Sequence, residues 1–205
     1  KPNFSYDKKT GAGEIEYTNY FLTDEFNDNA ESAVAGFKIL PSSFSWDYSM
    51  DGGGKLKDNI AYRGSTNSDG GHILAGADGY YTITLNTANN TATMVKYEGN
   101  VTNYGTIQIA GSFNEWADTP MLPYNTEGVE NHAWYYVMEV PAGETAQFKF
   151  KIAGSWDTSW GYGNADGDIN MFGKCEAGGK NLGLAEGKYV ISFNDITGAF
   201  SIVKL

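Results

Sequence analysis

The chain has 205 residues with a net charge of −11, and 15% of its residues are aromatic. That length suits one large or two small domains, and the charge excludes electrostatic capture of nucleic acid or of an anionic membrane surface. A single cysteine, Cys175, excludes an internal disulfide and a cysteine-based metal site. The two histidines, His72 and His132, lie on unrelated segments and argue against a histidine metal centre. No apolar run approaches the length needed to cross a bilayer as a helix. The chain opens at Lys1 without a methionine or a signal peptide, as a processed or trimmed protein would, so a secretion signal or lipid-anchor cysteine would have been lost with that segment.

Short β-branched and aromatic segments separated by Gly, Asn and Asp clusters, with 26 Gly in all, point to an all-β protein. Residues 1–14 are polar and turn-rich, with Phe4 and Tyr6 as candidates for an edge strand. Residues 14–23 alternate as a strand, and the acidic residues 24–31 have room for one helical turn. Residues 36–40 read as a strand stopped by Pro41. Residues 42–69, which hold Trp46, Tyr48 and the run Gly52-Gly53-Gly54, make a long excursion of the kind that is usually functional or disordered. Residues 79–86 and 91–96 form a hairpin about Asn89-Asn90. Residues 106–110 are a further strand, leading into Gly111-Ser112-Phe113-Asn114-Glu115-Trp116.

The end of this series occurs twice. Shifted by 108 positions, residues 70–96 overlie residues 178–204 without a gap, and ten of the 27 positions are identical, among them Gly79/Gly187, Tyr81/Tyr189, Ile83/Ile191 and Asn86/Asn194. Upstream, Phe37-Lys38-Ile39 is similar to Phe148-Lys149-Phe150, and Trp46 to Trp156, once small gaps are allowed. The chain therefore reads as two copies of one β module, residues 1–98 and 104–205, joined near Tyr97 to Asn103. The first-copy counterpart of strand 106–110 falls near residues 1–8, where the pattern is poor.

The stretch from Gln147 to Trp160 carries the chemistry. Phe148, Phe150 and Ile152 alternate with Gln147, Lys149 and Lys151, as on a half-buried strand whose polar face meets water. Ala153-Gly154-Ser155 breaks the pattern, and Trp156 and Trp160 follow in a polar, Gly-rich setting. Indole faces cover the apolar C–H side of a pyranose, while an ammonium and polar neighbours take its hydroxyls. The competing reading has both tryptophans capping the end of a sandwich core.

GSFNEW at 111–116, FKFK at 148–151, GSW at 154–156 and the closing GKYVISFN segment resemble the starch-binding, immunoglobulin-like carbohydrate-binding modules. The likeness is to the tandem modules of the SusE/SusF family of outer-membrane starch-binding lipoproteins, and the same layout occurs in the glycogen-binding domain of the AMP-activated kinase β subunit. It spans residues 104–205 nearly end to end and about 30–98 more weakly. The resemblance implies two tandem immunoglobulin-like β-sandwich domains. It implies a site in which Trp116 and Trp156 form two walls set at an angle, Lys149 bonds sugar hydroxyls and Asn181 completes the contact. The first copy departs from the pattern: it keeps Lys38 and Trp46 and offers Tyr48 as a second ring, but it has no counterpart of Trp116, and Ile73 stands where Asn181 does. Tyr62 and Arg63 are conceivable replacements.

Asn164, Asp166, Asp168 and Asn170 stand at every second position, a spacing that can wrap calcium or simply make a solvated Asx turn. Asp157, beside Trp156, either bonds sugar or solvates its turn. No Gly-rich phosphate loop precedes a helix, and no serine nucleophile elbow is present. The expectation is a monomeric, non-catalytic binder of starch-like α-1,4-glucan without a cofactor. It would be lipid-anchored at a bacterial outer membrane or secreted, with other components of a starch-uptake complex as partners. The alternatives are a scaffold module that has lost glycan binding and an accessory module of an amylolytic enzyme.

Overall fold

Segment by segment, the period-two stretches of the sequence become the sheets of an all-β fold. The computed structural model describes residues 14–21, 54–55, 60–63, 73–74, 77–86, 91–125 and 128–205. They belong to two compact units, one within Lys9–Gly99 and one over Asn100–Leu205.

The first unit contains β1 (Glu14–Phe21), β2 (Gly54–Lys55), β3 (Ile60–Arg63), β4 (Ile73–Leu74), β5 (Gly79–Asn86) and β6 (Thr91–Lys96). Four of these form an antiparallel sheet in the order β1-β5-β6-β3, and β2 pairs with β4 in parallel. Tyr17, Tyr81, Ile83, Ala92 and Met94 are buried on it. The excursion expected over residues 42–69 therefore holds strand: residues 60–63 pair with β6 along their whole length. Four residues are too few for an alternation signal, and the pairing is supplied by a partner some thirty residues away in sequence.

The second unit contains β7 (Ile107–Gly111), β8 (Thr119–Pro120), β9 (Leu122–Pro123), β10 (Ala133–Val140), β11 (Ala146–Ile152), β12 (Ser159–Gly161), β13 (Phe172–Lys174), β14 (Glu176–Ala177), β15 (Leu182–Leu184), β16 (Gly187–Asn194) and β17 (Ala199–Lys204). They make a sandwich. One sheet runs β13-β17-β16-β10-β9, and the other runs β14-β12-β11-β7-β8 with β15 also paired to β11. Between them lie Ile107, Ile109, Phe148 and Phe150 from one sheet and Trp134, Met138, Ile191, Phe193 and Phe200 from the other. Phe150 and Phe193 stack across the gap with ring centroids 4.2 Å apart. Burying one such side chain stabilises by roughly 1.5–3 kcal/mol.

The internal repeat is visible in three dimensions. Residues 79–86 and 91–96 of one unit and 187–194 and 199–204 of the other are strands with identical bounds at a spacing of 108. The registers agree as well: Ile83 faces Met94 as Ile191 faces Ile202. The Tyr81 hydroxyl donates to the Ala77 carbonyl (2.9 Å) and the Tyr189 hydroxyl to that of Ala185 (3.2 Å), the same tyrosine corner twice. Both hairpins open on a glycine with positive φ, Gly79 at 155° and Gly187 at 143°, where a Cβ is poorly tolerated. The correspondence extends to the strand expected over residues 14–23 and to one at residues 133–140 that the sequence reading does not place. Glu14–Phe21 pairs with β5, Phe21 opposite Gly79, just as Ala133–Val140 pairs with β16, Val140 opposite Gly187.

His132, before β10, and Asp195, after β16, close one end of this sheet. The His132 ring nitrogens lie 2.5 Å from Asp195 Oδ1 and 2.9 Å from Glu130 Oε1, and Trp134 Nε1 donates to Asp195 Oδ2 at 2.7 Å. Burial pulls the His132 pKa down, but bonds and charge from Asp195 and Glu130 outweigh it, so it is raised above the ordinary histidine value. Burial likewise raises that of Asp195, against the bonds from His132 and Trp134. The network ties backbone to backbone, with Asp195 N–H donating to the His132 carbonyl at 2.9 Å.

Candidate functional site: an aromatic face on the second unit

The face is built on the side of β11 turned away from the core. Phe148 and Phe150 point inward and are fully buried, so Gln147, Lys149 and Lys151 share the opposite side. In the flanking strands Ala110 stands opposite Lys149, and Gln108 and Ser159 stand opposite Lys151.

Trp116 and Trp156 stand over one end of this side, 36% and 45% exposed. Their ring centroids are 6.0 Å apart and their planes are inclined by 58°. Two large indoles exposed side by side have no packing rationale, since ring burial is their main contribution to stability.

The loop that presents Trp116 explains the motif GSFNEW residue by residue. A Cβ at position 111 would overlap the Gln147 carbonyl and the Phe148 side chain, so β7 needs glycine to approach β11. The Ser112 hydroxyl accepts the Gln147 N–H at 3.0 Å. Phe113 packs against Tyr136 at the margin of the core, centroids 5.7 Å apart. Asn114 organises the turn: its Oδ1 accepts the Gly111 N–H (2.9 Å) while its Nδ2 donates to the Ala117 carbonyl and to Thr119 Oγ1, both at 2.7 Å. Glu115 and Trp116 then adopt φ of 54° and 62°. Non-glycine residues in that left-handed region cost on the order of 1 kcal/mol each, and the turn holds them there, with Trp116 N–H donating to the Gly111 carbonyl at 2.8 Å.

Beneath Trp156 lies Lys151, only 2% exposed, its Nζ 4.8 Å from the indole centroid. The same ammonium is paired with Asp118. The other Asp118 oxygen accepts the Gly154 N–H at 2.6 Å. The Lys151 bond, foremost, and the Gly154 bond hold the Asp118 carboxyl below the usual carboxylate range. Lys151 was expected to face water and is instead the floor under a ring.

Lys149, two positions along and so roughly 7 Å away, has a different environment. Burial lowers its pKa, with the charge of Asp166 pulling the other way, and no hydrogen bond or ion pair to another described side chain satisfies its ammonium. Asn181, at the far end of the face, has its amide on Gln147 Oε1 (3.1 Å), and its N–H donates to Asp166 Oδ1 (2.8 Å).

Trp160 does not join this face, contrary to its inclusion among the expected sugar contacts. It belongs to β12 opposite Phe150, is 9% exposed, and packs between Tyr104 (5.2 Å) and Phe193 (5.3 Å) in the core. The register of a three-residue strand turns it inward. Lys38, Trp46 and Tyr48 lie outside the described residues. In the loop at 164–170, Asp168 Oδ2 accepts the N–H groups of Asn164 and Ala165, both at 2.9 Å, so this carboxylate closes its own loop from the C-terminal side. Among the described residues no cluster of three or more His, Cys, Asp or Glu side chains is arranged around a metal position. Asn114, Asp118 and Lys151 are the participants that sequence reasoning missed. For Asn114 the signal was present in the motif itself; Asp118 lies 33 positions from the lysine that it binds.

No family model matches the chain, and no curated protein matches it. Among solved structures it is similar to the crystal structure of SusF from Bacteroides thetaiotaomicron, with a TM-score of 0.38 and 17% sequence identity over 100% of this chain. The chain spans 50% of the length of that one. The functional reading therefore rests on the geometry of the face.

Proposed function

We propose that the second unit binds starch-like α-1,4-glucan without transforming it. The observation that carries this reading is the exposed pair Trp116 and Trp156, inclined by 58° at 6.0 Å. Two angled rings follow the curved face of a helical glucan, whereas a coplanar row suits a flat chain such as cellulose. Lys149 supplies an ammonium for sugar hydroxyls along the same strand. The motif resemblance to SusE/SusF-type modules supports the same ligand. On this reading residues 1–98 and 104–205 are tandem modules. Lys38, Trp46 and Tyr48 would form a differently built contact in the first, and the protein would work as a monomer at a bacterial cell surface among other starch-uptake components.

The test is native electrophoresis through gels containing amylopectin, dextran or a β-glucan. Retardation by amylopectin alone is the expected result, with no rise in reducing ends over time. Equal mobility in all three gels overturns the reading. One observation favours a second reading, a protein-contact module. The outer side of the five-stranded sheet carries Phe172 and Leu122 at its two edges and Val137 and Val203 between them, all more than 40% exposed. A protein partner retained by the parent and lost on replacing Val137 or Phe172, with Trp156 variants unaffected, would favour it.

A further inference from the structure

We propose that Asp118 is the positioning residue of the face: one carboxylate that fixes the angle between Trp116 and Trp156. This rests on the platform reading but concerns how the platform is held. Asp118 sits two residues after Trp116, on the loop between β7 and β8. Through Lys151 it is tied to β11, and through the Gly154 N–H (2.6 Å) it is tied to the turn that carries Trp156. Gly154 has φ of 70°, so the turn that offers this N–H is itself in a glycine conformation. The three tethered elements hold the two indoles, and the ammonium clamped by Asp118 lies under one of them, 4.8 Å from its centroid.

The arrangement has the logic of a keystone. Lys151 is nearly buried, and a buried ammonium without its partner is costly. Losing the carboxylate therefore sends Lys151 back toward water, through the space that Trp156 covers. Charge-assisted bonds of this kind are stronger than neutral ones, and Asp118 remains ionised well into acid because its two bonds favour the carboxylate. Nothing comparable ties Trp160, which is held by packing on two rings.

Two indoles 6.0 Å apart couple excitonically, which gives a circular-dichroism couplet that reports their angle without any ligand. The experiment compares the full chain with Asp118→Asn and, as a second route to the same broken pair, Lys151→Met, which keeps the stem on Trp156. Trp156→Phe identifies the couplet. Maltoheptaose affinity and the unfolding midpoint are measured on every variant. The expected result is a collapsed couplet and roughly tenfold weaker binding in both variants, with an unfolding midpoint near that of the parent. An unchanged couplet overturns the proposal, whether binding persists or falls; falling binding with an unchanged couplet would mean that Asp118 touches the sugar itself. A collapsed couplet in a protein whose parent form binds no α-glucan upholds the positioning role and defeats the platform reading instead.

Discussion

Trp156 and Trp160 are four residues apart and share a side-chain type, yet one is 45% exposed and the other 9%. The difference is one of backbone context. Trp160 sits in β12, where pairing with Phe150 sets its direction and the core fills both sides of its ring. Trp156 sits on a turn, where no ladder dictates direction, and it is aimed by an ion pair and a neighbouring ring. A tryptophan in a strand serves the fold; one on a clamped turn is free to serve a ligand.

Removing each ring in turn breaks the comparison at its widest point. Trp160→Ala should lower unfolding stability by about 3–5 kcal/mol, as large-to-small core changes do, measured by chemical denaturation. Trp156→Ala should leave stability within about 0.5 kcal/mol and cost roughly 1–3 kcal/mol of maltoheptaose affinity. A reversal, in which Trp156→Ala melts the protein and spares binding, returns Trp156 to the core-cap reading.

How far the sequence carried these assignments is seen in the same stretch. Strict alternation from Gln147 to Ile152 made β11 legible, and with it the inward Phe148 and Phe150. Past Gly154 the pattern ends, and β12 is too short to show a period, so nothing in the letters separated Trp156 from Trp160. Strand β10 was hidden for another reason: in Ala133–Val140 the outward positions include Tyr135 and Val137, so apolar residues run continuously and the alternation vanishes. The hairpin repeat was legible because the two copies keep the same length. The matching of β1 to β10 was not, because these strands are 119 positions apart, against 108 for the hairpins, and a gapless comparison passes them by.

Smaller effects sharpen the contrast. Trp116→Gly should weaken maltoheptaose binding, by about as much as Trp156→Ala. It should leave stability unchanged or raise it by up to ~1 kcal/mol, because glycine adopts the positive φ at no steric cost. A calorimetric melt that drops by several degrees would contradict this. Lys149→Ala should cost roughly 0.5–1.5 kcal/mol of affinity, the net worth of an exchanged hydrogen bond. Its stability should be close to the parent's, since the half-buried ammonium has no ion-pair partner among the described residues. A large loss of stability would place Lys149 with Lys151 as a packed cation.

Away from the face, pH should act through His132. Its folded-state pKa is raised, so the folded form binds the proton more tightly than the unfolded one. That stabilisation is complete below the ordinary histidine value of about 6.5 and is lost as pH climbs through the raised value. Denaturation midpoints should fall across this window in the parent, and the slope should flatten in His132→Gln. A parent midpoint that rises with pH there would refute the assignment.

The repeated hairpin also bears on how a chain with two similar hairpins tells them apart. Two hairpins of one length and one register invite exchange between units while the chain folds. Their cross-strand pairs discriminate between them. In the first unit Thr18 meets Thr82, hydroxyl to hydroxyl at 2.8 Å; at the matching place in the second, Val137 meets Val190. A swapped hairpin would set a valine against each threonine and forgo the Thr18–Thr82 bond, a net loss of about 0.5–1.5 kcal/mol. Hairpins that share a scaffold can thus keep separate identities through their mismatched pairs, each strand recognising its own hairpin by polarity.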